Sequence, residues 1–124
     1  MEQFFKEVKA INKKDKVGIE LALCKLFEES GELAQAVNMI IGRKASKLTD
    51  KEIKSLVTEE CIDTIQNVFC IADKAGITYK DLCAVFGTKN AKWKSRISKK
   101  EINLTGNTKV KTPTVKSTKK IISK

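Results

Sequence analysis

Only one proline, Pro113, occurs in the 124 residues. Proline ends helices because it lacks an N–H and its ring clashes with the preceding turn. Glycine is sparse as well, with 6 in the chain. The sequence before Pro113 therefore has few places to turn sharply, which favours a small number of long helices over a many-turned β fold.

Apolar residues recur at helical spacing in four segments. The first, about Glu2 to Ile11, carries Phe4, Phe5, Val8 and Ile11 and is broken by "NKKDK". The second, about Val17 to Ile41, carries Leu23, Leu26, Phe27, Leu33, Ala34, Val37, Ile40 and Ile41. Gly42 follows it, where a left-handed C-cap residue belongs. The third opens on Thr49 with Glu52 three positions on, a capping-box pattern, and reaches about Ala75 before Gly76. Its apolar set is Ile53, Leu56, Val57, Cys61, Ile65, Val68, Phe69 and Ala72. The fourth starts after Thr78, with Asp81 three residues on, and covers about Tyr79 to Ile97, with Gly87 as a weak point. Short connections make consecutive helices antiparallel neighbours. The expectation is an all-α antiparallel bundle of about four helices over residues 1–98, followed by a lysine-rich flexible tail over 99–124.

The net charge is +10, yet residues 99–124 hold eight lysines against one glutamate, so most of the excess belongs to the tail. A nucleic-acid partner is expected only through that tail. No apolar run approaches the roughly 18 residues that span a bilayer. The N-terminus has no apolar stretch of the kind a signal peptide needs. The expectation is a cytoplasmic protein with no membrane partner. The four cysteines, Cys24, Cys61, Cys70 and Cys83, form no C-x-x-C pair, and histidine is absent. That pattern fits free thiols in a reducing compartment better than a zinc site.

Two stretches stand out against this frame: "LFEESGELAQAV" at 26–37 and "VTEECIDTIQNV" at 57–68. Each places a doubled glutamate and then a third acid inside an apolar helical pattern. On a helical wheel, Leu33, Leu26, Val37, Leu23 and Ala34 fall between about 40° and 140° from Glu29, which puts Glu29 at the edge of the apolar arc. The third segment repeats the arrangement around Glu60. Glu28 aligns with Glu59, Glu29 with Glu60, Glu32 with Asp63, and Gln35 with Gln66. One such acid pair is commonly a solvated face. Two at matching wheel positions on neighbouring helices can converge. Partly buried carboxylates repel one another in a low dielectric and call for cations. With no histidine and no clustered thiolate, the donors are all oxygen, which selects a hard ion, Mg2+ or Mn2+.

"EESGELAQAV" followed by "EECIDTIQNV" resembles the MazG-like nucleoside triphosphate pyrophosphohydrolases, all-α enzymes defined by an E-x-x-E helix and an E-x-x-D helix. "KNAKWKSRI" is similar to the Asn-, Lys- and Arg-bearing last helix of that family, and the likeness covers about residues 17 to 97. The resemblance implies hydrolysis of a nucleoside triphosphate at its α-phosphorus, giving a monophosphate and pyrophosphate. It implies Glu29, Glu32, Glu60 and Asp63 as magnesium ligands. Glu28 and Glu59 become water-orienting candidates, although each is equally well a solvated acid. It also implies a homodimer or homotetramer whose site a neighbouring chain completes. Two departures stand beside the match: a long "GRKASK" connection, and Ile62 where a small residue is usual.

Asn67, four residues after Asp63 and between Glu60 and Asp63 on the wheel, is a candidate sugar or ligand-orienting contact. Lys89, Lys92 and Arg96 can line one helix face with Asn90 and hold phosphates, or form an ordinary basic surface. Trp93 has two uses open to it, stacking on a nucleobase or anchoring the last helix against the bundle, and the second is the commoner. Lys25 stands one turn before Glu29 as an i,i+4 partner. The competing functional reading is a non-enzymatic helical module that uses the basic tail on nucleic acid or an acidic partner.

Overall fold

A computed structural model describes the backbone of residues 1–106 and the side chains of residues 1–101. Four helices and no strand occur among the described residues: α1 (Glu2–Asn12), α2 (Ile19–Ile40), α3 (Asp50–Lys74) and α4 (Tyr79–Gly106). The predicted helices are all present. The largest boundary difference is at α4, which passes through Gly87 and continues beyond Ile97 to Gly106. A glycine inside a helix costs only about 1 kcal/mol relative to alanine, and the lysine- and alanine-bearing turns around it are good helix formers. The tail expected over 99–124 is therefore helical at its start, and its remainder lies outside the described residues.

Local chemistry sets the helix ends. Thr49 accepts from the Glu52 backbone N–H at 3.3 Å, and the Glu52 carboxylate accepts from the Thr49 N–H at 2.7 Å, completing the capping box. Thr78 and Asp81 repeat the exchange at the start of α4, at 3.2 and 2.8 Å. Gly42 and Gly76 end α2 and α3 with φ of 71° and 75°, a region that other residues enter at a cost. Removing the cap oxygen with Thr49→Ala should cost about 1 kcal/mol, read as a lower urea midpoint with an unchanged slope. The capping carboxylate of Glu52 titrates below its usual range because it accepts the Thr49 backbone and hydroxyl hydrogen bonds. Its contribution is present above the ordinary carboxylate pKa and is lost as pH falls through the depressed one.

The chain divides into two units, residues 1–84 and the part from Val85 onward. In the first unit α3 is the central element, packed against α1 and against α2. One face of α3 presents Phe69 and Ala72 to Phe5 and Val8 of α1, with Phe4, Ile65, Tyr79 and Leu82 around them. Phe69 receives Phe4 and Phe5 edge-on, with centroids at 5.5 and 5.1 Å. Burying a phenylalanine of this kind contributes about 1.5–3 kcal/mol, and edge-to-face geometry adds about 0.5–1.5 kcal/mol more. A polar clasp closes the same seam. The Asn12 amide donates to the Cys70 carbonyl and to Asp73, and the Cys70 thiol donates back to Asn12. All four cysteines are free thiols.

The α2 interface corrects the sequence reading. Its buried residues are Ala22 and Ala36, not the large apolar set. Leu23, Phe27, Val37, Ile40 and Ile41 are exposed, Phe27 by 70%. Ile11 on α1 and Val68 on α3 are exposed as well. On the wheel, Ala22, Glu29 and Ala36 lie within about 20° of one line, with Leu33 and Leu26 beside it. Small residues let two helix axes approach closely, so α2 meets α3 along its alanine line. Glu29 is thus on the buried line itself, not at the edge of an apolar arc.

Candidate metal centre

Glu29 stands about three turns before the end of α2, and Glu60 about three turns after the start of α3. In an antiparallel hairpin, equal distance from the connection brings the two to the same level. One carboxylate oxygen from each of Glu29, Glu60 and Asp63 lies within 4.8 Å of the other two. Glu60 is the one buried charged residue among those described, with 8% of its surface exposed. Its Oε2 is buried without a hydrogen-bond partner. Asp63 and Glu29 are half-buried.

Burial is the largest cause raising the Glu29 carboxyl above its usual range, and the charges of Glu32, Asp63 and Glu28 add to it. Lys25 pulls in the other direction. Glu60 is raised for the same first reason, then by Glu32, Glu29, Asp63 and Glu59. Three acids crowded together with one of them buried is a costly arrangement, because each charge is disfavoured by desolvation and by its neighbours. Among the described residues, no lysine or arginine is hydrogen-bonded to the three. Lys25, expected to face Glu29, instead pairs with Glu28 at 2.8 Å. One helical turn separates either pairing, and the half-buried position of Glu29 leaves the exposed Glu28 easier for a lysine to meet in water.

The other candidates divide clearly. Glu32 is exposed and outside the close group of three, although its charge acts on both Glu29 and Glu60. Glu28 and Glu59 are exposed beside the cluster. Asn67 is half-buried and donates to the Asp63 carbonyl at 2.9 Å, so its amide nitrogen is turned back onto its own helix. Lys89, Asn90, Lys92, Trp93 and Arg96 belong to the second unit. Lys89, Lys92 and Arg96 are exposed and Asn90 is half-buried. Trp93 is 65% exposed. Thr64 was not singled out from the sequence. Its buried hydroxyl has no partner and follows Glu60 by one turn, and an i,i+4 search from Glu60 for polar residues would have found it.

A hard cation meets this donor set well. Its preferred ligands are carboxylate oxygens, and bound here it would remove the mutual repulsion and satisfy a buried oxygen that has no partner. Compared with known proteins, the chain matches no family model, no curated protein and no solved structure.

Proposed function

We propose that the protein is a magnesium-dependent nucleoside triphosphate pyrophosphohydrolase, serving nucleotide-pool control or house-cleaning in the cytoplasm. One observation carries the reading: two helices converge three carboxylates, one of them buried with an unpartnered oxygen. An acidic surface that needed only water would keep those oxygens solvated. Here they are held where a divalent ion resolves the strain. No described helix is long and apolar enough to cross a membrane.

Glu29, Glu60 and Asp63 would hold the ion, with Glu32 as the fourth carboxylate; Mg2+ suits the all-oxygen set, and Mn2+ suits it too. A bound ion would neutralise phosphate oxygens and lower the pKa of an attacking water. The chain's own residues then have distinct tasks. Glu28 is engaged by Lys25, so Glu59 is the freer of the two flanking acids to orient water and accept its proton. Asn67 braces the turn that carries Asp63.

Assembly into a homodimer or homotetramer belongs to the same reading. Leu23, Phe27 and Val37 of α2, with Ile41 at its C-cap, fall within about 80° of one another on the wheel and so form one stripe. All four are exposed, and an exposed apolar stripe of this kind marks an interaction face.

The test is a panel of common and modified deoxynucleoside and nucleoside triphosphates, assayed for pyrophosphate with and without magnesium. Release from at least one of them, dependent on the ion, is the expected result. Folded protein that releases pyrophosphate from none of them would end the activity claim.

A further inference from the structure

The second unit carries a feature the hydrolase reading does not absorb. From Leu82 to Lys100 the sequence of α4 holds six lysines and arginines and no acid. Within that stretch Phe86 and Trp93 are 66% and 65% exposed, and Ile97 is 44% exposed. Trp93, Arg96, Ile97, Lys99 and Lys100 border one shallow concavity. An exposed tryptophan is costly to leave in water, and as the only tryptophan of the chain it sits where the positive charge is densest.

We propose that this face of α4 binds single-stranded nucleic acid, with a base stacked on Trp93 and the backbone phosphates met by Arg96, Lys99 and Lys100. Proteins that hold single strands without sequence preference combine an aromatic platform with a cationic track, and both are present here on adjacent turns. The expected nucleic-acid contact thereby moves from the tail to the helix. An anionic membrane surface is the other polyanion to consider. Membrane-surface helices segregate a continuous apolar face from a charged one. On α4 the exposed apolar stripe is narrow. Phe86, Trp93 and Ile97 span only about 40° of the wheel, and Lys100, Lys89 and Arg96 follow within about 60° of Trp93 on its other side. A stripe that narrow, edged closely by cations, suits stacked bases better than acyl chains.

A free nucleotide and a strand share the same chemistry of base and phosphate, so the experiment must separate them. The single tryptophan makes this direct. Full-length protein is titrated with oligothymidylate, with thymidine triphosphate at equal phosphate concentration, and with vesicles of phosphatidylserine and phosphatidylcholine, following Trp93 emission. The expected result is quenching by the oligonucleotide at low salt, weakening as salt rises with a log–log slope of about −2 for three phosphates. Trp93→Ala, followed by oligonucleotide anisotropy, should weaken binding about tenfold. Lys99→Gln with Lys100→Gln should flatten the salt slope by about 1.4. Circular dichroism checks that each variant keeps its helices. Three results would overturn the proposal: quenching by the vesicles and not by the oligonucleotide, equal quenching by the mononucleotide, or oligonucleotide binding that leaves Trp93 emission unchanged.

Discussion

Magnesium should raise the thermal midpoint of the wild-type protein strongly at neutral pH and leave that of Glu60→Gln nearly unmoved. A ligand present at a hundredfold its dissociation constant adds about 2.7 kcal/mol. For a domain of this length that is a rise of about 10 °C or more. The second half of the expectation concerns the metal-free state. Glu60 is a buried acid with one oxygen unpartnered, and a neutral amide of the same shape removes the charge without opening a cavity. Metal-free Glu60→Gln should therefore melt above metal-free wild type, a direction opposite to most core substitutions. The pH dependence has a definite sign. Glu29 and Glu60 titrate above the usual carboxylate range in the folded state. Their contribution to stability is thus whole below the ordinary value and is lost as pH rises through the raised one. The advantage of metal-free Glu60→Gln over wild type should be largest at neutral pH and should shrink toward pH 4. The magnesium shift should shrink over the same interval, because protons compete for the ligand oxygens. Calorimetry at matched ionic strength reads both. A metal-free Glu60→Gln that melts below wild type, or a magnesium shift that survives the substitution, would remove Glu60 from the centre.

Much of this site was legible in the sequence because its signals are local. The doubled acids recur at one offset, and the connection between their helices is marked by Gly42 on one side and the Thr49 cap on the other. A hairpin with those ends brings Glu29 level with Glu60 by geometry alone. The caps at Thr49 and Thr78 and the glycine stops were readable for the same reason, since each depends on residues within one turn. What could not be read was which face of α2 turns inward. Hydrophobicity favours the stripe with Leu23, Phe27 and Val37. Burial instead follows the line of Ala22, Glu29 and Ala36, where close approach of two helices outweighs side-chain size. A sequence does not distinguish an apolar residue buried within its own chain from one held for another surface. The same limit holds for Trp93: its residue type leaves stacking and anchoring both open, and the structure adds that it is 65% exposed.

The two phenylalanines that the periodicity ranks alike should separate completely under substitution. Phe69→Ala should cost about 3–5 kcal/mol, since it deletes a ring enclosed by two others and leaves a hole in the seam between α1 and α3. That is a large share of the 5–15 kcal/mol that holds a typical domain together, so the variant should be partly unfolded near body temperature. Phe27→Ala should change the stability of the isolated chain by less than about 0.5 kcal/mol, because 70% of its surface already faces water. Its effect should appear in a different measurement. If copies of the chain meet along α2, Phe27→Asp places a charge in the seam, and the species seen by light scattering should fall toward a single chain at concentrations where wild type is associated. Urea melts of Phe69→Ala and Phe27→Ala, with scattering of wild type and Phe27→Asp, therefore separate the two kinds of apolar surface. Equal destabilisation by Phe69→Ala and Phe27→Ala at dilute concentration would place Phe27 inside the fold. Scattering that is identical for wild type and Phe27→Asp would leave the stripe on α2 without the role proposed for it in assembly, while the carboxylate centre would stand on its own test.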